Sequence, residues 1–109
     1  MTHINLQYLN EITGGDPEII KEFVEDVVKL KDEVWNEIKH AYANHDIKAI
    51  KESAHKLKSS VKIFGSDIFQ NKLEQIEQED EISNIGALVK DLSEIIPVWQ
   101  EELEVISKK

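Results

Sequence analysis

The sequence predicts an all-α fold: an antiparallel up-down four-helix bundle with a short extra helix at its N-terminus. Apolar residues recur at alternating steps of three and four along the chain, and no strand-like alternation is present. Only two prolines and four glycines interrupt 109 residues, which suits helices better than a turn-rich β-sandwich. The length is one domain's worth, so residues 1–109 are read as a single domain around one core.

The short first helix is expected from Leu6 to about Glu11. Thr13-Gly14-Gly15 then forms a loop, with Asp16 as the next N-cap, Pro17 at the first helical position and Glu18 near the positive helix end. From Pro17 onward Ile20, Phe23, Val27, Leu30, Val34, Ile38 and Ala41 form one apolar stripe, so a helix of roughly 40 Å should run to about Ala43. Asn44-His45-Asp46 is a connection short enough to favour an antiparallel neighbour, with Asp46 as a second N-cap.

The following helix should bury Ile47, Ile50, Ala54, Leu57 and Val61 and stop at Gly65. Ser66 or Asp67 caps another through Phe69, Leu73 and Ile76, which ends in the polar run Glu77 to Glu81. A last helix starts near Ser83 or Asn84 and carries Ile85, Leu88, Leu92, Ile95, Trp99 and Leu103 on one side. Pro97 lies inside it and removes a backbone donor, so a kink is expected near Ser93 to Pro97. Trp35 and Trp99 are read as core or boundary aromatics.

Composition excludes several functions. With no cysteine there is neither a disulfide nor a thiolate metal site. No apolar run reaches the roughly 18 residues of a membrane span, and no signal peptide is visible at the start, so a cytoplasmic location is expected. A net charge of -9 argues against nucleic acid and anionic lipid as partners. That charge is unevenly spread: from Ile47 to Lys62 five lysines (Lys48, Lys51, Lys56, Lys58, Lys62) face one acid, Glu52, a net +4 that leaves -13 for the rest.

His55 falls off the apolar arc of its helix, on the flank that carries Lys48, Lys51, Lys58, Ser59 and Lys62. A phosphoryl-accepting histidine needs a ring nitrogen free to attack, room for the incoming group and positive charge to receive it. Ser59 and Ser60 leave room, and Lys58, one turn on at about 5–6 Å between Cβ atoms, is close enough to reach a phosphate. From these features alone a solvated, lysine-rich helix face remains an equal alternative.

The run Ala54-His55-Lys56-Leu57-Lys58-Ser59-Ser60-Val61-Lys62-Ile63-Phe64-Gly65 resembles the signature of the histidine-containing phosphotransfer (HPt) domain family. In that signature the acceptor histidine is followed by leucine at +2, lysine at +3, a small residue at +4 and glycine at +10, matched here by Leu57, Lys58, Ser59 and Gly65. The similarity extends through Leu6, Leu9 and Gly14-Gly15-Asp16 upstream and Phe69, Leu73, Ile76 and Glu77 downstream. Ser59 departs from the glycine most common there.

The resemblance implies that His55 is phosphorylated through Nε2, that Lys58 stabilises the phosphoryl group, and that Glu77 holds the other ring nitrogen. A receiver that brings its aspartate to the ring should dock on the exposed face near His55, on Lys51, Ser59, Lys62 and Phe64, with a core role at the helix end as the alternative for Phe64. Partners would be a response-regulator receiver domain, a histidine kinase, or both. No cofactor would be bound by this chain, Mg²⁺ being expected on the receiver, and a monomer would suffice. The chain would be a carrier and not an enzyme, since it has no Gly-rich nucleotide loop.

Two other functions compete. One is a non-catalytic helical module that docks on receivers without transfer, against which stand intact His55, Lys58 and Gly65. The other is a carboxylate-bridged metal bundle, which requires paired Glu-x-x-His motifs; Glu37-Ile38-Lys39-His40 supplies one. His40 and His45 are five residues apart and so point away from each other, and neither they nor His3 needs a functional role.

Overall fold

The computed structural model describes residues 4–108, so His3 lies outside the described residues. These residues form five helices: α1 (Gln7–Thr13), α2 (Pro17–Ala43), α3 (Ile47–Ile63), α4 (Asp67–Gln78) and α5 (Ile82–Ser107). Among the described residues there is no strand. The four longer helices pack in a ring, α2 on α3, α3 on α4, α4 on α5 and α5 on α2, while α1 lies against α2. The longest dimension is 42 Å, close to the roughly 40 Å that a helix of the length of α2 spans.

The caps follow from the sequence. Asp16 accepts from the amides of Glu18 and Ile19 at 2.9 and 3.4 Å, with Pro17 in the first turn, and Asp46 accepts from Ala49 at 3.1 Å. Each side chain satisfies amides that have no partner within the helix. Ser66 occupies the N-cap position of α4, but its hydroxyl accepts instead from the Trp99 indole N–H at 2.7 Å. Before α5, Glu79 Oε1 accepts from the amides of Asp80 and Glu81, both at 3.1 Å. This lets α5 begin at Ile82, a residue ahead of the expected start.

The core is one cluster. From α3 it takes Ile50, Ala54, Leu57 and Val61, all fully buried, and from α4 Phe69, Leu73 and Ile76. Burying each large apolar side chain contributes roughly 1.5–3 kcal/mol. On α5 the buried positions are Ile85, Leu92, Ile96, Trp99 and Leu103, so Ile96 takes the place expected of Ile95, which is only partly buried. The helix continues through Pro97 to Ser107.

On α2 the buried arc is wider than the expected stripe, because α1, α3 and α5 all pack on it. It includes Val24 and, unexpectedly, Lys31. The Lys31 ammonium is hydrogen-bonded to Asp32 at 2.5 Å and to the Gln100 carbonyl oxygen on α5. Those two acceptors make burial of a charge tolerable.

Candidate functional site

His55 sits mid-way along α3, between Ala54 and the start of the next buried turn at Leu57. Those two residues lock the helix face inward, and the imidazole is turned to solvent with its side chain 73% exposed. Its Nδ1 lies 2.7 Å from Glu77 Oε1, in the last turn of α4. The other carboxylate oxygen, Oε2, accepts from Lys58 Nζ at 2.6 Å. One carboxylate thus bridges the ring and the ammonium of the next α3 turn.

Partial burial pushes the Glu77 carboxyl upward, but hydrogen bonds from Lys58 and His55 and their charges outweigh it and hold the group below the ordinary glutamate value. The same hydrogen bond, outweighing desolvation, raises Lys58 above the ordinary lysine value. An ionised carboxylate only accepts hydrogen bonds. The neutral ring facing it must therefore carry its hydrogen on Nδ1, which leaves Nε2 bare and pointing outward. In that form the second nitrogen of an exposed imidazole carries the free lone pair.

The lysine island is less cationic than its sequence suggests. Lys51 pairs with Asp80 at 2.5 Å, Lys56 with Glu37 at 3.2 Å, and Lys58 with Glu77. Acids from α2, from α4 and from the α4–α5 connection neutralise three of the five lysines. Lys48 and Lys62 are exposed and have no ion-pair partner among the described residues. Ser59 and Lys62 share the accessible face with His55, and Lys51 is half-covered beside Asp80.

Phe64 corrects an expectation. It is 1% exposed and packs edge-on against Trp99, with ring centroids 6.5 Å apart. It is a core residue at the end of α3, not part of the docking face. The Phe64 carbonyl also accepts from the Asn5 amide at 2.9 Å.

Two networks were not read from sequence. Glu37 Oε2 accepts from Ser53 Oγ and Lys56 Nζ, both at 3.2 Å. Its carboxylate is thereby engaged, although Glu37 and His40 line one cleft with Asp46 and Glu52. Among the described residues no group of three His, Asp or Glu side chains is placed to hold a metal ion. The second network is Trp99 to Ser66, for which an N-cap serine gives no sequence signal beyond the cap itself.

The site is thus an exposed imidazole backed by a carboxylate on the neighbouring helix of an all-α bundle. The chain matches the family model of the Hpt domain over residues 18–108, and it belongs to that family. Hpt domains are carriers in two-component phosphorelays, not kinases, and work with receiver domains and kinases. No curated protein and no solved structure matches the chain. Among the described residues no helix is long and apolar enough to cross a membrane.

Proposed function

We propose that the chain is a phosphorelay carrier in which His55 Nε2 accepts a phosphoryl group from a receiver-domain aspartate, or from a histidine kinase, and passes it to a receiver-domain aspartate. The observation that carries this reading is the 2.7 Å contact of Nδ1 with Glu77 at an imidazole 73% exposed. The Nε2 lone pair attacks phosphorus, the N–P bond forms, and the P–O bond of the aspartyl phosphate breaks with its electrons returning to the carboxylate. No proton has to leave: the ring keeps its Nδ1 hydrogen and becomes cationic, and Glu77 faces that new charge. Return transfer to an aspartate reverses the same steps.

Lys58 has a second role in this reading. At rest it holds Glu77, and once phosphate arrives the ammonium, one helical turn from the ring, lies within reach of an anion of about -1.5 to -2 charge. Mg²⁺ stays with the receiver. The helices alternate up and down, as their three-residue connections favour, and the chain works as a monomer in the cytoplasm.

The test is His55→Gln. An exposed site off the core should leave the helical fold intact while phosphoryl uptake from a receiver phosphorylated with acetyl phosphate disappears. Wild-type chain should gain acid-labile, base-stable phosphate. Uptake by the variant equal to that of wild type would remove His55 from the mechanism.

A further inference from the structure

We propose that Lys51 is a second phosphate-binding residue of this site, held by Asp80 at rest and released to the phosphoryl group once His55 carries it. The inference rests on the reading of His55 as the residue that carries phosphate, and it adds a side chain that lies outside the signature run of residues 54–65.

The first argument is position. Lys51 stands one turn before His55 on α3 and Lys58 one turn after it, so each Cβ lies about 5–6 Å from that of the histidine. A phosphoryl group on the exposed ring therefore has an ammonium on either side of it along the helix. The two lysines are tied in parallel fashion: Lys58 to Glu77 at 2.6 Å, and Lys51 to Asp80 at 2.5 Å.

The second argument is what each lysine leaves behind. Glu77 is 17% exposed, and with Lys58 withdrawn its carboxylate would lose one of the two groups that hold it. Depriving a largely covered carboxylate of a charge-assisted partner is costly. Asp80 is 87% exposed, so water replaces the ammonium there at little cost. The anion that competes with Asp80 carries about -1.5 to -2 charge, more than the single charge of a carboxylate. Phosphate therefore draws Lys51 from Asp80 more readily than it draws Lys58 from Glu77.

The third argument is division of labour. Glu77 has to stay on Nδ1 while Nε2 holds the phosphoryl group, and Lys58 steadies that same carboxylate. Lys51 has no share in orienting the ring: its carboxylate partner belongs to the connection between α4 and α5. Its ammonium, on a flexible four-carbon stem, can follow the phosphate without disturbing the tautomer. Asp80 is then a positioning residue, acting on the phosphoryl group only through Lys51.

The experiment phosphorylates the chain with phosphoramidate, which gives its phosphoryl group to the imidazole and releases ammonia, so no receiver takes part. Phosphorus-31 resonance then follows the phosphohistidine, identified by its loss in His55→Gln. At low salt Lys51→Ala should shorten the lifetime of that signal about threefold and raise the pH midpoint of its shift. Asp80→Asn should do the opposite, lengthening the lifetime about threefold and lowering the midpoint. A bridge that merely steadied the fold would move both variants in one direction. In Lys51→Ala/Asp80→Asn the lifetime should equal that of Lys51→Ala alone, since Asp80 acts through the lysine. Changes of the same sign, no change in Lys51→Ala, or a lifetime still lengthened by Asp80→Asn once Lys51 is gone overturns the proposal while the carrier reading stands. In wild-type chain the Asp80 carboxyl carbon-13 signal should shift on phosphorylation; a stationary signal overturns the proposal independently of any variant's folding. A chain labelled on His55 that draws no phosphate from a phosphorylated receiver overturns the carrier reading alone, and labelling undiminished in His55→Gln overturns both.

Discussion

Glu77 Oε1 stands 2.7 Å from His55 Nδ1 although 22 residues separate them in the chain. The contact joins the last turn of α4 to the middle of α3, and it fixes which ring nitrogen is free.

Glu77→Gln keeps an oxygen that accepts from Nδ1–H but removes the charge facing the cationic ring. A charge-assisted hydrogen bond exceeds a neutral one by about 1 kcal/mol, so phosphoryl uptake should slow by about fivefold. Glu77→Ala should slow it further and let the ring populate the other tautomer. Nitrogen-15 shifts of the imidazole read the tautomer directly, and an unchanged Nδ1–H signal in Glu77→Ala would show that something else fixes it.

The pH dependence has a definite sign. Glu77 titrates below its ordinary value of 4.5, so its stabilising contribution is present above 4.5 and is lost only as the pH falls through its depressed value. Lys58 titrates above its ordinary value of 10.5, so its contribution is complete below 10.5 and is lost as the pH rises through its raised value. Between those limits the pair stays intact. In denaturation measured against pH, Glu77→Gln should flatten the acid limb and leave stability near neutrality less dependent on Lys58.

Lys58→Ala should slow transfer about tenfold and shorten the lifetime of the phosphorylated state without abolishing acceptance, because the lysine makes no bond to phosphorus. Lys58→Arg should recover part of the rate, since charge survives while its position changes. The loss should be largest in low salt. A wild-type rate there for Lys58→Ala would eliminate its electrostatic role.

Gly65 has φ +59°, and a Cβ built on it would lie 2.5 Å from the Asn5 carbonyl oxygen. Gly65→Ala should therefore be strained in the left-handed region and push against the segment entering α1, costing at least about 1 kcal/mol. Hydrogen exchange should speed up in α1 more than in α3. Phe64→Ala, by contrast, opens the core beneath Trp99 and should cost about 3–5 kcal/mol in chemical denaturation.

The helices were legible because each long one buries a stripe at helical spacing and three begin at recognisable caps. The exposure of His55 was legible because α3 has a clear apolar arc that excludes it, whereas the acceptor role rested on the resemblance. Pairing across helices was not. Glu74, Glu77 and Asp80 all lie near the end of α4, and only the rotation of α4 against α3 decides that Glu77 meets His55 and Lys58 while Asp80 meets Lys51. Phe64 stayed open between docking face and core for a local reason: it is the C-cap of α3, where helical period no longer assigns a face. Lys31 was hidden because a buried lysine depends on acceptors such as Gln100, 69 residues away.

The bond from Trp99 to Ser66 gives the protein an internal optical gauge. The indole is fully buried, its N–H is held by a hydroxyl that is itself fully buried, and Phe64 and Phe69 both meet it edge-on. Water is absent from such a setting, so Trp99 should emit at short wavelength, while half-buried Trp35 emits further to the red. Because Trp99 touches the α3–α4 turn and not the imidazole, its colour should follow opening of that end of the molecule and stay constant as phosphate comes and goes, separating integrity of the scaffold from loading of the carrier in a single cuvette.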